Sequence, residues 1–206
     1  MNFLPLEIEG ERVYAGFWAR LLAAIVDIIV FIPIIVIFHY LQSINIRLTI
    51  FVVVFYSCLF SAYSVYFNLK YGGTIGKLIT GIRITKPDGN KIQIKEALLR
   101  SSVDIFYGLV FAIAQVYAIK KVDPNAYLVA GYMERVRLTL PLHPEFMKHM
   151  DKLNEVWYWS ELIVLLFNKR KRALHDFIAG TVVIKKNINE KGSDLISNKI
   201  IHRPNG

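Results

Sequence analysis

Apolar positions in this chain come in long unbroken blocks, not in the stripes that mark a soluble helix. Residues 17–38 form the first block and residues 48–67, LTIFVVVFYSCLFSAYSVYF, the second, which has no charge at all. A third, 98–119, opens LLRSSVDIFYGLVF. A bilayer core about 30 Å thick needs a helix of about 20 apolar residues, and each block has that length. The fourth block, about 150–168, is weaker: its apolar part, LNEVWYWSELIVLLF (153–167), is short and contains Glu161. Such a segment crosses by extending upstream or by thinning the bilayer locally. The pattern predicts an all-α membrane protein with four transmembrane helices.

Between the blocks the period changes. IRIT (82–85), a Pro87-Asp88-Gly89-Asn90 turn and KIQI (91–94) read as a β-hairpin, and TVVI (181–184) is a second β-rich run. Thr74 is placed to cap a short helix that ends at Gly81. A small β element on the cytoplasmic side follows. The whole of 1–206 reads as one domain, with a polar tail over 187–206 that is expected to fray.

Composition agrees with a membrane and refines the charge argument. Hydrophobic residues make up 54% of the 206, mean hydropathy is +0.40, and charged residues are only 20%, against about 25% in soluble domains. The net charge of +9 suggests nucleic acid until it is located. The cations sit beside apolar spans, and no aromatic stacking platform accompanies them, so an anionic lipid surface is the better partner. Lys70, Lys77, Arg83, Lys86, Lys91, Lys95 and Arg100 lie between spans two and three, and Lys169, Arg170, Lys171 and Arg172 directly follow span four. The positive-inside rule makes both segments cytoplasmic, and four spans then put both termini there, in the cell's inner or plasma membrane. Trp157, Tyr158 and Trp159 would form an outer aromatic belt, with Glu161 in the headgroup layer among them. The first sixteen residues carry Glu7, Glu9 and Glu11 instead of a basic leader, so no cleavable signal is expected. The single cysteine, Cys58, lies in an apolar run and reads as a small buried hydrophobe.

Charges inside the spans are the chemical signal. Arg20 and Asp27 are seven residues apart, almost two turns, so they share a face about 10 Å apart along the axis. A charge at helix centre costs roughly 2.5–3.5 kcal/mol on insertion scales, so such groups face the protein interior. Arg20 can reach toward the interface; Asp27 needs a partner, with Arg100, Lys77 or water as choices. Arg100 and Asp104 are four residues apart and can pair locally.

Two stretches also read alike. Phe67-Asn68-x-Lys70 precedes IGKLITGIRITK (75–86), and Phe167-Asn168-x-Arg170 precedes LHDFIAGTVVIK (174–185). We read them as two span-pair-plus-strand repeats about an axis along the membrane normal, with Lys77 aligned to Asp176.

GFWARLLAAIVDIIV (16–30), GGTIGKLITGIRI (72–84) and KRALHDFIAGTVVI (171–184) resemble the signature blocks of the RDD family of membrane proteins. The family's arginine matches Arg20, its first aspartate Asp27 and its second Asp176. The resemblance implies a polytopic membrane protein and suggests transport of solutes or ions, without a fixed substrate.

Arg20, Asp27 and Asp176 thus form the candidate polar cluster, with Lys77, Arg100, Asp104 and Glu161 as secondary members. In the leading expectation the protein is a transporter or transport accessory for protons or small cations. Asp27 exchanges the proton, Arg20 is its counter-charge, Asp176 shapes the cytoplasmic mouth, and a homodimer completes the path. The alternative is a non-transporting scaffold that meets lipids or a partner through its basic cytoplasmic face, where Lys169–Arg172 touch headgroups. The glycines of 72–76 lack phosphate-loop spacing, and Leu78 stands where magnesium needs a hydroxyl. His143, Glu145, His149 and Asp151 have no metal-ligand spacing. No cofactor, no metal and no enzymatic activity are expected.

Overall fold

The computed structural model describes residues 3–186, so the expected tail 187–206 lies outside the described residues. The chain is mostly helical. In order the elements are β1 (Glu7–Ile8), β2 (Glu11–Arg12), α1 (Phe17–Leu41), α2 (Ile46–Tyr71), α3 (Ile75–Ile79), β3 (Ile82–Thr85), α4 (Ile94–Ile119), α5 (Pro124–Val129), α6 (Tyr132–Thr139), α7 (Phe146–Phe167), α8 (Leu174–Ile178) and β4 (Val182–Lys185), with a 3₁₀ turn at Leu140–Leu142. Local chemistry sets several boundaries. Asn45 Oδ1 accepts the Leu48 N–H at 2.9 Å before α2. Glu96 reaches back to the Gln93 N–H at 2.8 Å and opens α4. Asp123 accepts from Asn125 and Ala126, with Pro124 in the first turn of α5.

Helices α1, α2 and α4 are long and apolar enough to cross a membrane. Their outward surface is apolar: Trp18, Ile28, Val36, Phe51, Phe106 and Ile113 are all more than half exposed. Surface of this kind, continuous along a helix, requires lipid around it. The predicted fourth span corresponds to α7, which is 22 residues long. It carries Lys148, Asp151, Lys152, Glu155 and Glu161 and does not meet the same apolar criterion.

The chain divides into two compact units, and α1, α2, α4 and α7 contribute to both. The unit made of residues 3–28, 64–100 and 160–186 is built on a β-ribbon. β3 pairs antiparallel with β4, Ile82 opposite Lys185 and Thr85 opposite Val182. Residues 13–15 extend the ribbon past β4: Tyr14 bridges Ile184, and the Ala15 N–H donates to the Val183 carbonyl at 2.9 Å. The pleat sends alternate residues to opposite faces. Ile82, Ile84 and Val183 pack with Ala15, Ala23, Ile92 and Ala97, while Val182 and Ile184 pack with Ile8, Val13 and Tyr14. A tight β1–β2 hairpin turns at Glu9 and Gly10, both with positive φ.

The predicted 82–94 hairpin is corrected here. Its turn forms, with the Lys86 N–H donating to Asn90 O at 2.8 Å, but β3 takes its partner from β4 and 91–94 leads into α4. Val182-Val183-Ile184 offers β3 a β-branched ladder, whereas the Glu96 cap commits the run after the turn to helix.

The two similar stretches have the same backbone. Each is a five-residue helix, one linking residue and a left-handed glycine leading into a strand: α3–Thr80–Gly81 directly before β3, and α8–Ala179–Gly180 with Thr181 before β4. Gly81 has φ +69° and Gly180 φ +65°, a conformation only glycine adopts without strain. Ile84 and Val183, equivalent in the sequence alignment, face each other in the ladder, flanked by Arg83↔Ile184 and Thr85↔Val182. That register places a local two-fold axis between Ile84 and Val183.

The other unit, residues 29–63 and 101–159, contains the loop 120–152. α5, α6 and the 3₁₀ turn fold it around Tyr127, which packs with Val53, Ile119 and Val122. Arg135 is 4% exposed there, donating to the carbonyls of Tyr127, Leu128 and His39 at 2.9–3.1 Å. Burial draws its guanidinium below its ordinary pKa. His143 bonds Gln115 at 2.6 Å, and Tyr107 donates to Asp151 at 2.8 Å.

Candidate functional site

The polar cluster of the β-ribbon unit starts from α1. Arg20 and Asp27 share the predicted face, but each turns to a different short helix. Asp27, 6% exposed, meets the start of α3: its Oδ2 accepts the Thr74 hydroxyl at 2.6 Å and its Oδ1 the Gly76 N–H at 2.8 Å. The contact requires glycine. A Cβ on Gly76 would sit 2.0 Å from the Ala23 carbonyl oxygen and 2.8 Å from the Asp27 carboxyl carbon. Asp27, expected to pair with Arg100, Lys77 or water, thus meets the amino end of a short helix, where a negative charge is favoured.

Arg20 reaches α8. Its Nη1 donates to Asp176 Oδ2 at 2.8 Å and its Nη2 to the Lys171 carbonyl at 2.6 Å. Asp176 is fully buried. Its Oδ2 also accepts the Ala173 N–H at 2.9 Å, and its Oδ1 accepts Arg100 Nη1. Arg100, expected to pair with Asp104, spends its guanidinium on Asp176, on Thr181 Oγ1 at 2.9 Å and on His175 Nε2 at 2.7 Å. Burial alone would push the Asp176 carboxyl up, but the guanidinium groups of Arg100 and then Arg20 outweigh it and hold the group well below the usual carboxylate range.

His175 extends the cluster. Arginine can only donate, so His175 Nε2 accepts and the ring carries its proton on Nδ1, facing Glu161 Oε1 at 2.5 Å. Glu161 also accepts the His175 N–H at 3.2 Å. This corrects its expected place in the outer headgroup layer: it belongs to the same unit as Asp176. Lys77 follows Gly76 in α3 and is half-buried. Asp104 is exposed and belongs to the other unit.

The basic run is also corrected. Arg172 is only 7% exposed. It donates to the carbonyls of Thr181 at 3.0 Å and Asp176 at 2.9 Å and lies over the Phe177 ring. Arg170 covers the Phe3 ring at 4.1 Å, and Lys171 donates to Leu166 O at 2.8 Å. Lys169 is the exposed member. Sequence reasoning gave Thr74 only a helix-capping place and missed His175 and Thr181. His175 adjoins the signature aspartate, which was the available signal; Thr181 carried none.

Among the described residues no group of three or more His, Cys, Asp or Glu side chains could hold a metal. The Arg20–Asp176–Arg100 arrangement instead neutralises buried charge within the protein, joining α1, α4 and α8 through one carboxylate.

Residues 14–180 match the RDD family. The chain is also similar to the uncharacterized protein YckC of Bacillus subtilis (strain 168), 29% identical over 171 residues that cover 82% of this chain and 83% of that protein. No solved structure matches it.

Proposed function

The chain belongs to the RDD family, and on that footing we propose that it is a four-span membrane scaffold whose signature residues lock its β-ribbon to the spans. The working surface in this reading is the basic cytoplasmic face, which meets anionic lipid or an acidic partner. The membrane location itself rests on the family and on three membrane-length apolar helices. A fourth crossing by α7 is supported by its 22 residues, about 33 Å of helix, against a core of about 30 Å. Charge distribution supports the remaining topology: cationic segments at 70–100 and 169–172 inside, both termini with them, in the cell membrane.

The observation that carries the reading is the saturation of Asp176. A fully buried carboxylate that accepts from two arginines and a backbone N–H has no place for a cation and no tendency to take up a proton near neutral pH. Asp27 is committed to the start of α3 by two short hydrogen bonds.

One observation favours the second reading, movement of protons or small cations, with a homodimer completing the path. The His175–Glu161 pair is hydrogen-bonded, joined to Arg100, and 24% and 18% exposed at its side chains. A chain of titratable groups of this kind is what a relay needs.

Flux decides between them. Purified full-length protein is reconstituted in vesicles, and flux driven by pH or monovalent-cation gradients is measured for wild type and for Asp27→Asn, with folding checked by thermal unfolding. The scaffold reading expects no flux above protein-free vesicles. Flux in wild type that Asp27→Asn abolishes, in a variant that remains folded, refutes it and establishes the second.

A further inference from the structure

A cavity of about 370 Å³ lies away from the polar cluster, between the carboxyl end of α2, β3 and the turn after β3. Its volume falls in the range of small-molecule sites, about 300–1,000 Å³. Among the described residues four cations line it, Lys70, Arg83, Lys91 and Lys186, and no Asp or Glu does. The nearest acid of the following helix, Glu96, is already engaged by Lys86 at 3.5 Å and by the Gln93 N–H.

The lining also holds unmet hydrogen-bonding capacity. Asn68 and Thr85 are 1% and 4% exposed. Asn68 Oδ1, Thr85 Oγ1 and Arg83 Nε are buried and have no hydrogen-bond partner among the described residues. A buried polar atom left unpaired costs about 1–3 kcal/mol; these three belong to residues of the lining but are closed off from solvent, so a ligand pairs with them only by shifting that lining. At the end of α2 the Asn68 carbonyl accepts from the Gly72 N–H, and the partial negative charge of that helix end is offset by the four cations of the lining.

We propose that this cavity binds a phosphate group, carried either on an anionic lipid or on a small soluble molecule. Phosphate oxygens accept from the lysine ammonium groups and the Arg83 guanidinium, and a shift of the lining on binding brings the Thr85 hydroxyl and Asn68 Oδ1 within reach of the ligand. The site deepens the reading of the basic face given above and rests on it only for the side of the membrane. Its experiment is independent of flux, so a conducting protein that still binds phosphate would sink the lock and leave the site standing.

The test uses the full chain in neutral detergent and follows the thermal unfolding midpoint. One arm titrates inorganic phosphate against chloride at matched ionic strength; the other adds phosphatidate, with phosphatidylcholine as control. A rise with phosphate shows that the free anion suffices. A rise with phosphatidate alone assigns the site to lipid. Either supports the proposal, and no rise in both arms overturns it. Arg83→Lys keeps the charge but removes Nε, and exposed Lys91→Gln removes one cation without touching the core. Each should weaken the apparent affinity by about tenfold, the loss of one charge-assisted hydrogen bond. Should Arg83→Lys not fold, Lys91→Gln decides alone. An undiminished response in the folded variants also overturns the site.

Discussion

Replacing Asp176 by asparagine keeps the shape of the side chain and removes its charge. In the native cluster the carboxylate faces two guanidinium groups whose side chains are 12% and 6% exposed, while its own exposure is zero. Asparagine leaves those two cations together with one neutral acceptor and turns an amide N–H toward one of them. Breaking a buried ion pair by removing one partner costs about 3–5 kcal/mol, because the remaining charge stays uncompensated. At roughly 2–4 °C per kcal/mol for a chain of this size, the unfolding midpoint should fall by about 6–20 °C. Thermal unfolding of purified protein in detergent, read by tryptophan fluorescence, measures this directly. The pH profile provides a second check. The folded pKa of Asp176 is depressed, so its contribution is present above the unfolded value of about 3.9 and is lost as pH falls through the lower folded value. The wild-type-minus-variant difference should therefore be flat from neutrality down to about pH 5. A loss under 2 °C at pH 7, or a difference that disappears between about pH 7 and 5, would refute the claim that Asp176 is an ionised lock.

Two further substitutions probe single contacts. Gly76→Ala forces a Cβ to 2.0 Å from Ala23 O, so α3 must move off Asp27. Overpacking alone costs about 1–3 kcal/mol, and amide hydrogen exchange in 75–79 should rise as α3 is displaced; unchanged stability would contradict the close approach. Arg135→Lys cannot donate from three fixed nitrogens to Tyr127, Leu128 and His39. It should cost about 2 kcal/mol and raise amide hydrogen exchange in 124–139 without affecting 75–86, whereas equal exchange in both segments would contradict a local role.

The spans were legible because bilayer thickness imposes a length on apolar runs, and three of the four appear as helices both long and apolar enough to cross. The repeat was legible as well, since Gly81 and Gly180 mark the same left-handed step in both copies. Strand pairing was not. β3 lies about a hundred residues from its partner, while an acceptable local turn at Lys86–Asn90 offered a nearer one, and propensity does not weigh a distant ladder against a helix cap. The cluster was half legible. Charged positions at membrane depth identified Arg20, Asp27 and Arg100, and the family resemblance identified Asp176, but which cation meets which anion depends on rotamers and helix rotation. Glu161 misled for the same reason: its neighbours Trp157 and Trp159 suggested an interface, while its hydrogen-bond partner, His175, lies beyond the turn that follows α7. Arg172 misled because a run of four cations hides that one of them packs inward over Phe177.

The two-fold arrangement explains why the signature contains two aspartates with unlike neighbours. In α8 the third helical residue is Asp176, and its Oδ2 accepts the N–H of Ala173 just ahead of the helix. The equivalent residue of α3 is Lys77, whose ammonium can only donate. The start of α3 has no such carboxylate, and its cap residue Thr74 makes no side-chain cap bond but donates its hydroxyl to Asp27 of α1, which also accepts the Gly76 N–H. Each short helix thus has a carboxylate at its amino end, local in one copy and borrowed in the other. The borrowed one ties α3 to α1. The local one remains free to accept Arg20 and Arg100, tying α8 to α1 and α4. A symmetric pair of local caps would leave Asp27 unused and α3 without its link to α1. The asymmetry at Lys77 and Asp176 is what lets three signature residues fix both halves of the ribbon unit to the spans.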